Sequence, residues 1–233
     1  MSSANASVHT EQTMGPNKSK EVMMLGGIYS LYWDNIDPQL VTAQRKVFSS
    51  FDFPISQHRI DGIDHGEWID WVMSRSDDMD VYLFIDIDCI PLNKGKMISN
   101  MQMAGAGNLI GAEGAANHID SSRSYAGAWY CYIGRQQWAN FNKPSAKATP
   151  YSDVCQIWTD VWKTRSAPVT LIPPTSSVFP RWELPGRENA YGIGTTYGDE
   201  CFHLFGSREG KSDSDLFITK CQEVSALAHI NKC

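Results

Sequence analysis

Apolar positions along this chain switch between unbroken runs and helical spacing, and the alternation outlines an α/β protein. The run from Glu21 to Ser30, EVMMLGGIYS, reads as a buried strand. DPQLVTAQRKVFSSF follows, with Asp37 placed as an N-cap and Pro38 at the first helical position. Leu40, Gln44, Val47 and Phe51, with Val41 and Phe48 beside them, share one mainly apolar face. PISQHRIDGID predicts a second strand and turn, and DHGEWIDWVMSR a second helix with Asp64 and Glu67 at capping-box spacing. MDVYLFI is the third strand. Strands separated by helices predict a mostly parallel central sheet flanked by helices, with ligands outside the carboxyl ends of the strands.

The second half is less regular. NLIGAE and Ala128 to Gly134 predict strands, and SDVCQIWTDVWKT a helix, because Val154, Ile157, Trp158, Val161 and Trp162 keep helical spacing. APVTLIPP is a short strand stopped by prolines. Thr175 to Thr196, rich in Gly, Pro and Arg, reads as a mobile loop. A last helix covers about Asp213 to His229, with Phe217, Cys221, Val224 and Ala228 on one face. No repeat or linker interrupts the pattern, so residues 21–233 read as a single domain. Residues 1–20, polar and without apolar period, read as a disordered tail.

Composition narrows the function. The chain has 233 residues, 42% of them hydrophobic, enough for a sizeable core. A net charge of −6 argues against nucleic-acid binding by broad phosphate neutralisation. None of the six cysteines forms a C-x-x-C pair, which argues against a zinc knuckle. With no signal-like opening and no apolar run of membrane-spanning length, the expectation is a cytoplasmic protein with reduced thiols and no membrane span.

The candidate chemistry lies in VYLFIDIDCIPLN, Val81 to Asn93. An apolar strand runs straight into Asp86 and Asp88, which in an extended segment point the same way while Ile87 packs on the other side. Paired carboxylates repel and are best tolerated around a cation. Mg2+ or Mn2+ suits them, leaving coordination positions for substrate phosphates. Aspartates also close strands as plain turn residues.

The hydrophobic strand, D-x-D and short apolar loop with proline resemble the metal motif of GT-A glycosyltransferases. CFHLFGSREG adds His203 three residues before Gly206, similar to the downstream histidine that serves some members as a third metal ligand. The resemblance implies a Rossmann-like GT-A domain and metal-dependent transfer from a nucleoside-diphosphate sugar, a UDP-sugar first among them. The acceptor would be a glycan, a protein or a small molecule. Asp86, Asp88 and His203 would hold Mn2+ or Mg2+, and an imidazole ligand favours manganese. The family's Lys-Pro-Trp after the downstream His-Gly is not found.

Other positions follow from topology. Gly27, Tyr29, Tyr32 and Asp61 are candidates for the nucleotide, and Glu113, Asn117, His118, Tyr125 and Gly127, in the small-residue stretch Gly111 to Tyr130, for sugar or acceptor hydroxyls. Trp182 and Arg187 are candidates to cover or neutralise the diphosphate. As a general base, Asp153 competes with Asp199 and the adjacent Glu200, although Asp153 and Gln156 also have helix-cap spacing. Two alternatives stand beside transfer. FIDIDCIP also resembles the nucleophile motif of haloacid-dehalogenase-type phosphatases, and a GT-A-like module could bind a sugar or nucleotide without turnover.

Overall fold

A computed structural model describes residues 26–75, 79–207 and 211–230. The tail expected at 1–20 and residues 21–25 of the first expected strand lie outside the described residues. β1 (Gly26–Tyr32) runs two residues past Ser30. α1 (Pro38–Ser50) starts where its cap predicts, the Asp37 carboxylate accepting the Gln39 amide at 2.8 Å. β2 (Ser56–Arg59), α2 (His65–Arg75) and β3 (Val81–Ile85) complete two crossovers, and β1 lies between β2 and β3, parallel to both.

The chain then forms β4 (Cys89–Pro91), α3 (Lys94–Gly105), β5 (Leu109–Ala116), β6 (Asp120–Gly134), α4 (Arg135–Asn140), α5 (Gln156–Thr164) and β7 (Val169–Ile172). The central sheet has the order β2-β1-β3-β6-β5-β7. Only β6 runs against the other five, so the sheet is mostly parallel, as expected. Last come β8 (Ser176–Leu184), β9 (Arg187–Tyr197), β10 (Cys201–His203) and α6 (Lys211–Ile230). A second sheet has the order β4-β10-β9-β8.

Helices cover both faces of the central sheet. Leu83 and Ile85 of β3 pack with Leu40 and Phe48 of α1, Met97 of α3, and Phe217 and Val224 of α6. Tyr82 and Phe84, pointing the other way, pack with Trp68 and Ile69 of α2 and Trp158 and Trp162 of α5. The first of these cores also takes in Ile90, Ile193, Cys201 and Phe202, so it runs unbroken into the second sheet.

Three expectations need correction. Thr175 to Thr196 is not a loop but the β8–β9 hairpin, turned by Pro185 and Gly186, the latter at φ +71°. Its Pro180 is tolerated because β8 is an edge strand. Gly111 to Tyr130 is likewise mostly paired strand, since β5 reaches Ala116 and β6 restarts at Asp120. The glycines of this small-residue stretch, Gly111, Gly114 and Gly127, are packing sites, where an added Cβ would meet Ala126 or Trp129. α5 starts only at Gln156, after Cys155 in the left-handed region at φ 62°, which leaves Val154 outside the helix. α3 went unread because its inner face, Met97, Asn100, Met101 and Ala104, mixes a polar side chain with apolar ones.

Candidate metal centre

The Asp86–Asp88 segment is a turn rather than an extension of β3, with the Cys89 amide donating to the Asp86 carbonyl at 3.0 Å. Buried Gln44 of α1 staples this turn from below, its Nε2 donating to the carbonyls of Asp86 (2.7 Å) and Cys89 (2.9 Å). The Asp86 amide donates to the Trp129 carbonyl on β6 at 3.1 Å. Ile87 is buried in the core, as expected.

β10 then carries His203 onto the pair, because antiparallel β4 and β10 set His203 opposite Cys89. His203 Nε2 stands 3.1 Å from Asp88 Oδ1 and 3.6 Å from Asp86 Oδ2. One ligand atom from each of the three residues lies within 4.8 Å of the others. The chain beyond His203 wraps Asp88, the Leu204 amide donating to its carbonyl at 2.9 Å and the Ser207 amide to its Oδ2 at 3.4 Å.

Burial alone would raise the Asp88 carboxyl, but the charge and hydrogen bond of the His203 imidazole, with help from Ser207, outweigh it and hold the carboxyl below its usual range. His203 is 2% exposed and held by rings. Trp129 stacks on it with centroids 5.8 Å apart, and Phe205 lies 3.6 Å away. Its Nδ1 finds no hydrogen-bond partner among the described residues. Two carboxylates and one imidazole, convergent and mostly shielded from water, fit a divalent cation that accepts mixed oxygen and nitrogen ligands.

The site opens into a cavity of about 260 Å³ whose lining includes Trp33, His65, Phe205 and Ser207. None of these four was singled out from the sequence. His65 and Trp33 follow the carboxyl ends of β2 and β1, so topology was the signal that could have found them. Phe205 sits in the left-handed region at φ 60°, unusual for a bulky residue, and touches Trp129, Trp182 and Tyr191 at centroid distances of 5.1, 5.3 and 5.7 Å. An aromatic wall thus leads away from His203.

Several expected residues lie elsewhere. Gly27 and Tyr29 belong to the packed part of β1, five and three residues before the strand end at Tyr32. The Tyr29 ring fills the space a Cβ at Gly27 would take and packs against Tyr82 and Phe84. Tyr32, half-buried, packs against the core at the strand's last position. Asp61 is exposed beyond β2, accepting the Asp34 amide at 2.8 Å.

Glu113 and Arg187 hold each other at 2.8 Å. Asn117 spends its amide tying the β5–β6 turn to Glu183 and Tyr191. His118 is exposed at that turn. Trp182 packs on Tyr191 and Phe205. Asp153 accepts the buried Tyr125 hydroxyl at 2.9 Å and the Val154 amide at 2.8 Å, so its carboxylate does not cap α5. Asp199 is exposed beside Lys96, beyond the end of β10 away from His203, and Glu200 pairs with Asn100.

No protein-family model and no curated protein matches the chain. Among solved structures, three distant likenesses bracket it. A197 from STIV is 10% identical, with TM-score 0.42, over 63% of this chain and 80% of that one. The catalytic domain of Drosophila beta1,4galactosyltransferase 7, complexed with xylobiose, is 13% identical, with TM-score 0.43, over 64% and 65%. A mutant of the same enzyme, complexed with manganese, UDP-Gal and xylobiose, is 12% identical, with TM-score 0.42, over 77% and 71%. Likenesses this remote decide neither substrate nor activity, and the geometry above stands by itself.

That geometry bears on the phosphatase alternative too. Two strand–helix units precede β3, whereas the phosphatase motif opens its domain. Among the described residues, the ion pairs of Asp86 and Asp88 are all with histidines.

Proposed function

We propose that residues 21–233 form one GT-A-like domain that transfers a sugar from a nucleoside-diphosphate sugar, with Mn2+ or Mg2+ held by Asp86, Asp88 and His203. The observation that carries this reading is the convergence of those three side chains at the carboxyl end of β3. When bound, the cation would offset the negative charge that grows on the departing diphosphate.

The rest falls to the protein's own residues. Trp33, Tyr32 and Asp61, at the ends of β1 and β2, are our candidates for the nucleoside, with a UDP-sugar as first choice of donor. The acceptor, for which a glycan is our first choice, is placed along the wall of Phe205, Trp182 and Tyr191, where ring faces suit sugar rings. Glu113 and Arg187 would contact its hydroxyls. Asp153, hydrogen-bonded to Tyr125, whose ring meets Trp129 edge-on, is the proposed base. Asp199 is not retained, because it lies past the far end of β10. Five buried free cysteines suit a reducing compartment, and we place the protein in the cytoplasm on that account.

Calorimetric titration with UDP, GDP, CDP and AMP, each with and without Mn2+, tests the proposal. Mn2+-dependent binding of one diphosphate is expected. Absence of binding by any nucleotide under either condition would overturn it and move phosphate-ester hydrolysis to the front.

A further inference from the structure

Asp86 is flanked by two imidazoles, only one of which belongs to the convergent triad. His203 Nε2 approaches Oδ2 at 3.6 Å, and His65 Nε2 approaches Oδ1, the other oxygen of the same carboxylate, also at 3.6 Å. His65 is the first residue of α2 and lines the cavity. Its ring lies against Trp68, with centroids 5.7 Å apart and planes tilted by 34°. Trp68 is itself fully buried, and its Nε1 donates to His58 Nδ1 at 3.0 Å. The imidazole is therefore aimed by the core, and its Nε2 faces one carboxylate oxygen.

His65 is not one of the three residues whose ligand atoms gather within 4.8 Å. We infer that His65 is a positioning residue for the metal centre, the approach of its Nε2 to Asp86 Oδ1 orienting the carboxylate so that Oδ2 is turned toward the cation shared with Asp88 and His203. A carboxylate with both oxygens free can rotate, or take a cation through both. One oxygen engaged by a fixed imidazole leaves a single aimed ligand, and such outer partners typically contribute a factor of roughly 10–100 in metal affinity. Asp86 needs this more than Asp88, because its side chain is 31% exposed and Asp88 is already held by Ser207 and His203.

The inference rests on the metal centre of the proposed function but not on the sugar chemistry, so the test uses Mn2+ alone, without nucleotide. The intact chain and its His65→Phe, His65→Gln and Asp88→Asn variants are titrated with Mn2+, following the free ion by electron paramagnetic resonance. Phenylalanine keeps the ring contact with Trp68 but has no N–H, whereas the glutamine amide nitrogen can stand near Nε2.

His65→Phe is expected to weaken Mn2+ binding by about 10–100-fold, with His65→Gln recovering most of the loss. Wild-type affinity in His65→Phe, or an equal loss in His65→Gln, would overturn the role. Wild-type affinity in Asp88→Asn would show that the ion sits elsewhere, and would overturn the centre and this inference together. If these losses appear in a protein that binds no nucleotide, the positioning role stands and the sugar-transfer reading falls.

Discussion

At Gly127 and Gly114 an added Cβ would stand 2.3 and 2.1 Å from the Trp129 indole, closer than any side-chain carbon can approach. Two glycines on neighbouring strands thus cradle the ring that stacks on His203. Gly127 stood in the sequence among residues suited to sugar hydroxyls, but its use is to make room. Gly127→Ala should displace the indole, cost roughly 1–3 kcal/mol in urea unfolding, and weaken Mn2+ binding through His203. An unchanged unfolding midpoint would show that the ring moves aside freely. Gln44 makes a similar point. It is a polar residue on the mainly apolar face of α1, and its amide is the staple under the aspartate turn.

Among the elements, those with strong periodicity and clear caps were legible, and those built from small or mixed residues were not. α1 starts at Asp37 and Pro38, and α6 buries the Phe217, Cys221 and Val224 face read from its spacing. The β8–β9 hairpin escaped notice because Gly, Pro and Arg are loop residues by composition, and only pairing across the turn makes strands of them. Gly186 is the residue the turn depends on, with φ +71° and nothing within 4 Å of an added Cβ. Gly186→Ala should therefore cost only the backbone term, roughly 1 kcal/mol by chemical denaturation. No loss would mean that the turn adjusts without strain.

For the whole molecule, pH should act on stability through His58, which sits between α2 and β1. Burial lowers its pKa below the ordinary 6.5, and its Nδ1 accepts from Trp68, so the folded protein keeps it neutral to lower pH than the unfolded chain does. The unfolded state then binds more protons as pH falls through 6.5, and the His58 contribution, present above that pH, is lost toward the folded value. Thermal melts at pH 7.5 and 5.5 should differ less in His58→Gln, which keeps an acceptor for Trp68 but does not titrate. An equal difference in both proteins would remove His58 from the account. The same scale separates what could be read in advance from what could not. Local rules suffice for the α/β order, the parallel start of the sheet, the buried strand and the two aspartates at its end, because periodicity, capping and strand polarity act over a few residues. The company those aspartates keep is another matter. His203, 115 positions from Asp88, arrives through the pairing of two three-residue strands, and His65 through the packing of α2 on Trp68. Such neighbours are set by how elements stack, and contacts between distant segments leave no period in the chain.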